Sequence, residues 1–218
     1  MIVGQPVKPL RPYRSALRAE QAHATRSRIL EAARSRFLID GYAGASIASI
    51  AGAAGVAAET VYLVFGTKRR LLEEVVTVTI AGGFEQPALL EAAWVRDLRA
   101  LPGLRERIAG FATHTAQTME RTAPLHAVTR VAAASDAELA KLHADIHDRR
   151  FENQKRVLDH LAAGTPATLE ADAGDTFSAL ASPELHHVLR NVRGWSRARY
   201  SDWLCSTVVA ALLPQGLR

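Results

Sequence analysis

Gly55 constrains this chain more than any other single residue. It falls between two short apolar segments of helical periodicity, 46–54 and 57–64, so the first helix must stop there and the chain must turn sharply. Small residues stand wherever the two helices have to touch. Ala51, four residues before the glycine, faces the second helix at close range, and Val61, six residues after it, points back to lock the pair. Ile50, Ala54, Val56 and Val64 supply the remaining apolar contacts. This is the spacing of a helix-turn-helix, the arrangement that lays its second helix in the major groove of DNA.

Charge supports a polyanionic partner. Residues 1–70 hold 11 Lys/Arg against 4 Asp/Glu, and the remainder holds 16 against 18, so the whole excess of +5 comes from the first third. A basic region beside a helix-turn-helix is the electrostatic footprint of nucleic-acid binding. Close to half of the 218 residues are apolar, enough for a sizeable core and against wholesale disorder. No run reaches the roughly 18 apolar residues of a bilayer span, so no membrane partner is expected. Residues 1–15 are basic and Pro-rich, without the apolar centre of a secretory signal. Cys205 stands alone, which excludes an internal disulfide and points to the cytoplasm.

Along the chain the pattern is helical throughout. Pro6, Pro9 and Pro12 alternate with Lys8, Arg11 and Arg14, which predicts an extended basic arm over 1–22. A helix is expected from about His23, with Ile29, Leu30, Ala33 and Phe37 on one face and Gly41 as its stop. Ser46 caps the first helix of the pair and Thr67 a fourth helix carrying Leu71, Leu72, Val75, Val76 and Ile80. Gly82, Gly83 and Pro87 interrupt that helix, and Pro102-Gly103 makes a second break. Helices are then expected from Leu104 to about Thr122 at Pro124, over 125–134, from Asp136 to Gly164, over 169–180, over 184–192 and over 196–213. No alternating strand pattern or hairpin turn appears. The fold class is all-α, with nine or ten helices.

A helix, Gly41-Tyr42, the two-helix motif, and then Tyr62-x-x-Phe65-x-x-Lys68 leading into a Leu-rich helix resemble the TetR family of transcriptional regulators. The matching positions run from Thr25 to about residue 76. The resemblance implies a three-helix DNA-binding domain, assigned to 23–70 with its helix-turn-helix at 46–65. It also implies a larger helical body for ligand binding and dimerisation over 71–218. Three positions depart from the family pattern. Ala57 replaces a hydroxyl cap at a cost of about 1 kcal/mol. Val64 stands where His is frequent, and Arg69-Arg70 stand where an acidic residue is common and oppose the helix dipole.

The DNA-binding set is Ser46, Ala57, Ala58, Glu59, Thr60, Tyr62, Lys68 and Arg14. Glu59 and Thr60 lie on the outward face of the second helix, where Thr can meet a thymine methyl and Glu the amino group of cytosine. Tyr62 follows the buried Val61 and either presents its hydroxyl to a phosphate or packs as a half-buried aromatic. Lys68 adds charge to the free amides of a helix start. Arg14, with Arg11 and Arg18, either enters a minor groove or belongs to a solubilising tail.

In the body, Trp94, Phe111, Thr115, Met119, His143, Phe151 and Phe177 are the candidate lining of a pocket for a largely apolar small molecule, each with a simple core role as the alternative. His143 and His147 stand four apart, as two ligands of one metal would. No third ligand is fixed among Asp136, His114 and His126, so the pair is read as solvated or pocket-lining and no metal or cofactor is called for. The last helix is apolar on a wide arc, which suggests burial on two sides. With the helix over 169–180 it would meet a second copy, as the resemblance implies. No catalytic motif is present. The resulting expectation is a homodimeric repressor that leaves a palindromic double-stranded operator when a small molecule binds. The alternatives are a recombinase-like DNA-processing enzyme and an effector-independent DNA-binding protein.

Overall fold

A computed structural model describes residues 12–81, 88–166 and 169–213. Among them every regular element is helical: α1 (Pro12–Gly44), α2 (Ile47–Ala54), α3 (Ala58–Phe65), α4 (Lys68–Ala81), α5 (Ala93–Arg99), α6 (Leu104–Ala133), α7 (Ala137–Ala162), α8 (Ala173–Leu180), α9 (Pro183–His187) and α10 (Arg197–Leu212). A 3₁₀ turn covers Leu89–Glu91 and a π turn Val188–Val192. No single helix among the described residues is long and apolar enough to cross a membrane. The expected breaks at Gly82, Gly83 and Pro87 lie outside the described residues.

The chain divides into two compact units. One holds α1 to Asp40, α2, α3 and α4 to Val75; the other holds Gly41–Ala43 and the chain from Val76 onward. In the first unit Ile29, Ala33 and Phe37 of α1 are fully buried, as are Ile50 of α2 and Leu71 and Leu72 of α4. Arg26 holds this unit together by two interactions. It pairs with the Glu74 carboxylate, and its guanidinium carbon lies 4.8 Å from the centre of the Phe65 ring.

α1 begins at Pro12, eleven residues before the expected His23, so the arm predicted over 1–22 is in part helix. Proline suits the first helical position, and residues 18–24 are exposed all round. A helix without an apolar stripe gives no periodicity for sequence reading to detect. Gly41, expected as the stop, has φ +68° and breaks the helical path there.

The second unit is built on α6, which packs along α7 and α10, while α8 closes against α7 and α10. Its core contains Ile108, Phe177, Leu161, Tyr200, Leu204 and Val208, all buried to within 1%. The Phe111 and Phe177 rings stack with centres 4.6 Å apart. Arg107 is buried and tied to two carbonyls: Nε donates to that of Leu101 at 2.9 Å and Nη1 to that of Leu161 at 3.0 Å.

The helix end expected at Pro124 does not occur; α6 runs through it. An interior proline removes one helical hydrogen bond and costs about 3 kcal/mol. Continuing the helix buries Leu125, His126, Thr129 and Ala132, which offsets that loss, and Pro124 itself sits on the exposed side. The segment expected as one helix over 184–192 is α9 followed by the π turn, and α8 starts at Ala173 rather than 169.

Candidate nucleic-acid interface and internal cavity

α2 is started by reciprocal bonds between two serines. Ser49 N donates to Ser46 Oγ at 3.0 Å and Ser46 N to Ser49 Oγ at 3.2 Å. It ends at Gly55, whose φ of +65° lets its N–H and that of Val56 reach back to the carbonyls of Gly52 and Ala51. Beyond this turn the axis of α3 bends by 103° from that of α2. Val61 and Phe65, four apart, fix the inner face of α3 and are 1% and 4% exposed. The opposite face is thereby presented outward. Glu59 is exposed, Thr60 half-buried, Tyr62 54% exposed and Leu63 87% exposed.

Ala57 precedes α3 in an extended conformation and makes no side-chain cap, so the amides of the first turn keep no side-chain partner from that position. Ala58, next to it, is half-buried, and Ser46 is exposed but engaged in its cap. Thr67 does cap α4, its hydroxyl accepting from Arg70 N at 3.1 Å. Lys68 makes an internal bond that the sequence did not signal. Its ammonium donates to the Ala45 carbonyl at 2.9 Å, which ties the start of α4 to the residue before Ser46, and partial burial lowers its pKa. Residues 1–11 and the side chains of residues 12–17, Arg14 among them, lie outside the described residues.

Leu63 is the residue that sequence reading missed. An exposed leucine two positions after a core valine reads as one more core residue in an apolar run, and only the orientation of α3 separates it from Val61 and Phe65. Ser49 was also missed, because a Ser-x-x-Ser cap lacks the acidic third residue by which such boxes are recognised.

Within the second unit lies a cavity of about 360 Å³ between α4, α5, α6 and α7. Four of the expected residues border it: Trp94, Phe111, Thr115 and Met119. Three do not. Phe177 is wholly buried against the far side of Phe111, His143 Nδ1 is engaged with Thr129 Oγ1 at 3.0 Å, and Phe151 lies against Gly174 at the other face of α7. The walls are also less apolar than expected, since Arg121, Arg149, Arg150, His114, His126, Asn153 and Gln154 take part. The α7 residues Ile146, Arg150, Gln154 and Val157 recur at helical spacing, so a polar interruption of an apolar stripe was the signal available. His114 stacks on Trp94 at 3.8 Å, and burial followed by the Arg121 charge pushes its pKa down to about 4. His143 and His147 sit with ring centres 4.5 Å apart, and among the described residues no group of three or more His, Cys, Asp or Glu is arranged to hold a metal.

Residues 29–75, which contain this two-helix unit, match the family described as bacterial regulatory proteins of the tetR family. The likeness to tetR-family proteins is carried by this segment, about a fifth of the chain. The chain's fold is that of solved TetR-type structures at low sequence identity. A TetR-family regulator from Mesorhizobium loti aligns with a TM-score of 0.66 at 18% identity, over 88% of this chain and 98% of that one. FadR of Bacillus subtilis, solved with stearoyl-CoA, aligns with a TM-score of 0.64 at 18% identity, over 85% and 98%. NalD of Pseudomonas aeruginosa, the secondary repressor of the MexAB-OprM efflux pump, gives 0.62 at 20% identity, over 89% and 99%. No curated protein matches the chain. α3 lies inside the matched segment, and the chain from Val76 onward lies beyond it.

Proposed function

We propose that this chain is a TetR-family regulator, a homodimeric, cytoplasmic repressor released from a palindromic operator by a small molecule held in the cavity of its second unit. The carrying observation is α3: a helix anchored by Val61 and Phe65, turned 103° from α2, with Glu59, Thr60, Tyr62 and Leu63 directed away from the core. Glu59, Thr60 and Leu63 read base edges, Leu63 by apolar contact with a thymine methyl. Tyr62, Lys68 and the basic residues of the arm, Arg14 among them, contact phosphates and supply a salt-dependent share of affinity. Ala57 and Ala58 join the set through backbone amides at the start of α3, and Ser46 through its exposed hydroxyl, which can still donate.

The ligand acts by binding one dimer state better than the other; without such a difference it shifts nothing. Val76, Thr77 and Ile80 of α4 border the cavity, so a bound molecule touches the helix that begins at Lys68. The second copy is expected on α8 and α10, where Trp203 and Cys205 are only half-buried on the outer arc of a helix whose inner arc is core. Neighbouring folds that include a repressor and a ligand-bound regulator support this reading over a recombinase-like enzyme.

The test is binding of the purified protein to the inverted repeat nearest its own gene, followed by fluorescence anisotropy at several salt concentrations. Specific binding as a dimer, and its loss with a small molecule, are expected. Equal affinity for the repeat and for scrambled DNA would sink the operator reading.

A further inference from the structure

The cavity carries a charge imbalance that DNA binding does not use. Three arginines and two histidines border it, and none of its bordering residues is Asp or Glu. Arg150 is held by neutral oxygens: Nη1 lies 3.2 Å from Gln154 Oε1, 3.2 Å from the Ser178 carbonyl and 3.3 Å from that of Ala181. Its Nε is buried and has no partner. His126 is 2% exposed, and neither of its ring nitrogens has a partner. Buried polar atoms left unmatched are costly and rare in folded proteins, and a bound molecule is one way they are satisfied. Burial, His147 and Arg150 hold His126 neutral, so the fixed positive charge beside it belongs to Arg150.

Threonines, Asn153 and Gln154 also border it, and its apolar part includes Trp94, Phe111, Met119, Ile146 and Val157. A neutral apolar molecule would fill this part and leave Arg150 and His126 unmatched. A cation would meet three arginines. At about 30 Å³ for each water-sized group, the volume accepts roughly a dozen non-hydrogen atoms.

We infer that the cavity takes an amphipathic anion, with a carboxylate head against Arg150 and His126 and an apolar body of about nine or ten atoms along Trp94, Phe111 and Val157. The assignment names the effector class of the repressor proposed above and rests on that reading for its regulatory meaning. The body is either a flexible alkyl chain or a flat aromatic system, and both carry the same head chemistry.

Isothermal titration of the full chain with decanoate, 2-naphthoate, decanol and decyltrimethylammonium, all below micellar concentrations, tests this. At least one carboxylate is expected to bind ten or more times tighter than decanol, and the cation weakest of all. The better of the two carboxylates identifies the body. Arg150→Gln is expected to bring that carboxylate within about threefold of decanol. Should Arg150→Gln not fold, the head-group series on the unaltered protein still decides. Decanol binding as well as both carboxylates overturns the inference, as does the absence of binding by all four. A carboxylate that binds with the expected head-group preference but leaves DNA affinity unchanged upholds the ligand class and removes the effector reading.

Discussion

Lys68 Nζ donates to the Ala45 carbonyl oxygen at 2.9 Å, so the residue expected to serve DNA also fastens two pieces of its own domain. The bond satisfies a carbonyl just before the Ser46 cap and holds the first turn of α4 against it. Lys68→Met is therefore expected to cost about 1 kcal/mol of stability, the scale of a half-exposed charge-assisted hydrogen bond. It should also make the salt dependence of DNA binding shallower by about one unit in log–log slope. Urea denaturation and salt-titrated anisotropy separate the two effects. An unchanged slope with reduced stability would leave Lys68 a purely structural clip.

Gly55→Ala probes the turn itself. A methyl group there would meet nothing within 4 Å, so its cost is confined to a φ of +65°. The expected loss is about 1–2 kcal/mol, with Gly55→Asn less affected because asparagine tolerates that region. If thermal denaturation finds Gly55→Ala as stable as the parent, the left-handed turn is not what ends α2.

Leu63→Ala separates reading from packing. At 87% exposure the side chain contributes little to the core, and stability should stay within about 0.5 kcal/mol. Operator affinity should fall while binding to unrelated DNA is retained. A marked drop in stability would instead place Leu63 among the packing residues.

Glu120 governs stability in strong acid. Arg190 Nε donates to its Oε1 at 2.6 Å and Arg190 Nη2 to Oε2 at 3.1 Å, with His186 Nε2 3.1 Å from Oε1. The bonds from Arg190, opposed by burial and aided by His186, lower its pKa from 4.5 to about 2. A depressed carboxylate pKa stabilises the fold above the unfolded value, and that contribution disappears as pH falls from 4.5 through about 2. Glu120→Gln should be less stable by roughly 3 kcal/mol at neutral pH, with the gap closing near pH 2. A gap of constant size across that range would show that Glu120 acts by shape rather than charge.

His126 sets an earlier acid window. Burial first, then the charges of His147, Arg150 and His143, push its pKa from 6.5 down to about 3. The unfolded chain takes up this proton before the folded one does, so stability is complete above pH 6.5 and declines as pH falls toward 3. His126→Phe removes the titration and should flatten the stability profile in that interval. Profiles of equal steepness for the two proteins would mean that the folded imidazole protonates without penalty.

Local signals in the sequence carried most of the first unit. Ser46, Ala51, Gly55, Val61 and Thr67 act through neighbours only a few residues away, so their spacing already implied a cap, a close approach, a turn, an anchor and a second cap. The all-helical class was legible for the same reason, since helical hydrogen bonds and stripes are made within one segment. Tertiary structure alone decided where α6 continues through Pro124, because the burial that offsets the broken bond comes from other helices. It alone set Leu63 outward and Lys68 onto Ala45, a contact across 23 residues. It alone selected Trp94, Phe111, Thr115 and Met119 as cavity wall while sending His143, Phe151 and Phe177 elsewhere. It brought Arg150 and His126 from two helices into one chamber. A cavity is the space that packing leaves unfilled, and its lining depends on the rotation of every surrounding helix, which no single segment encodes.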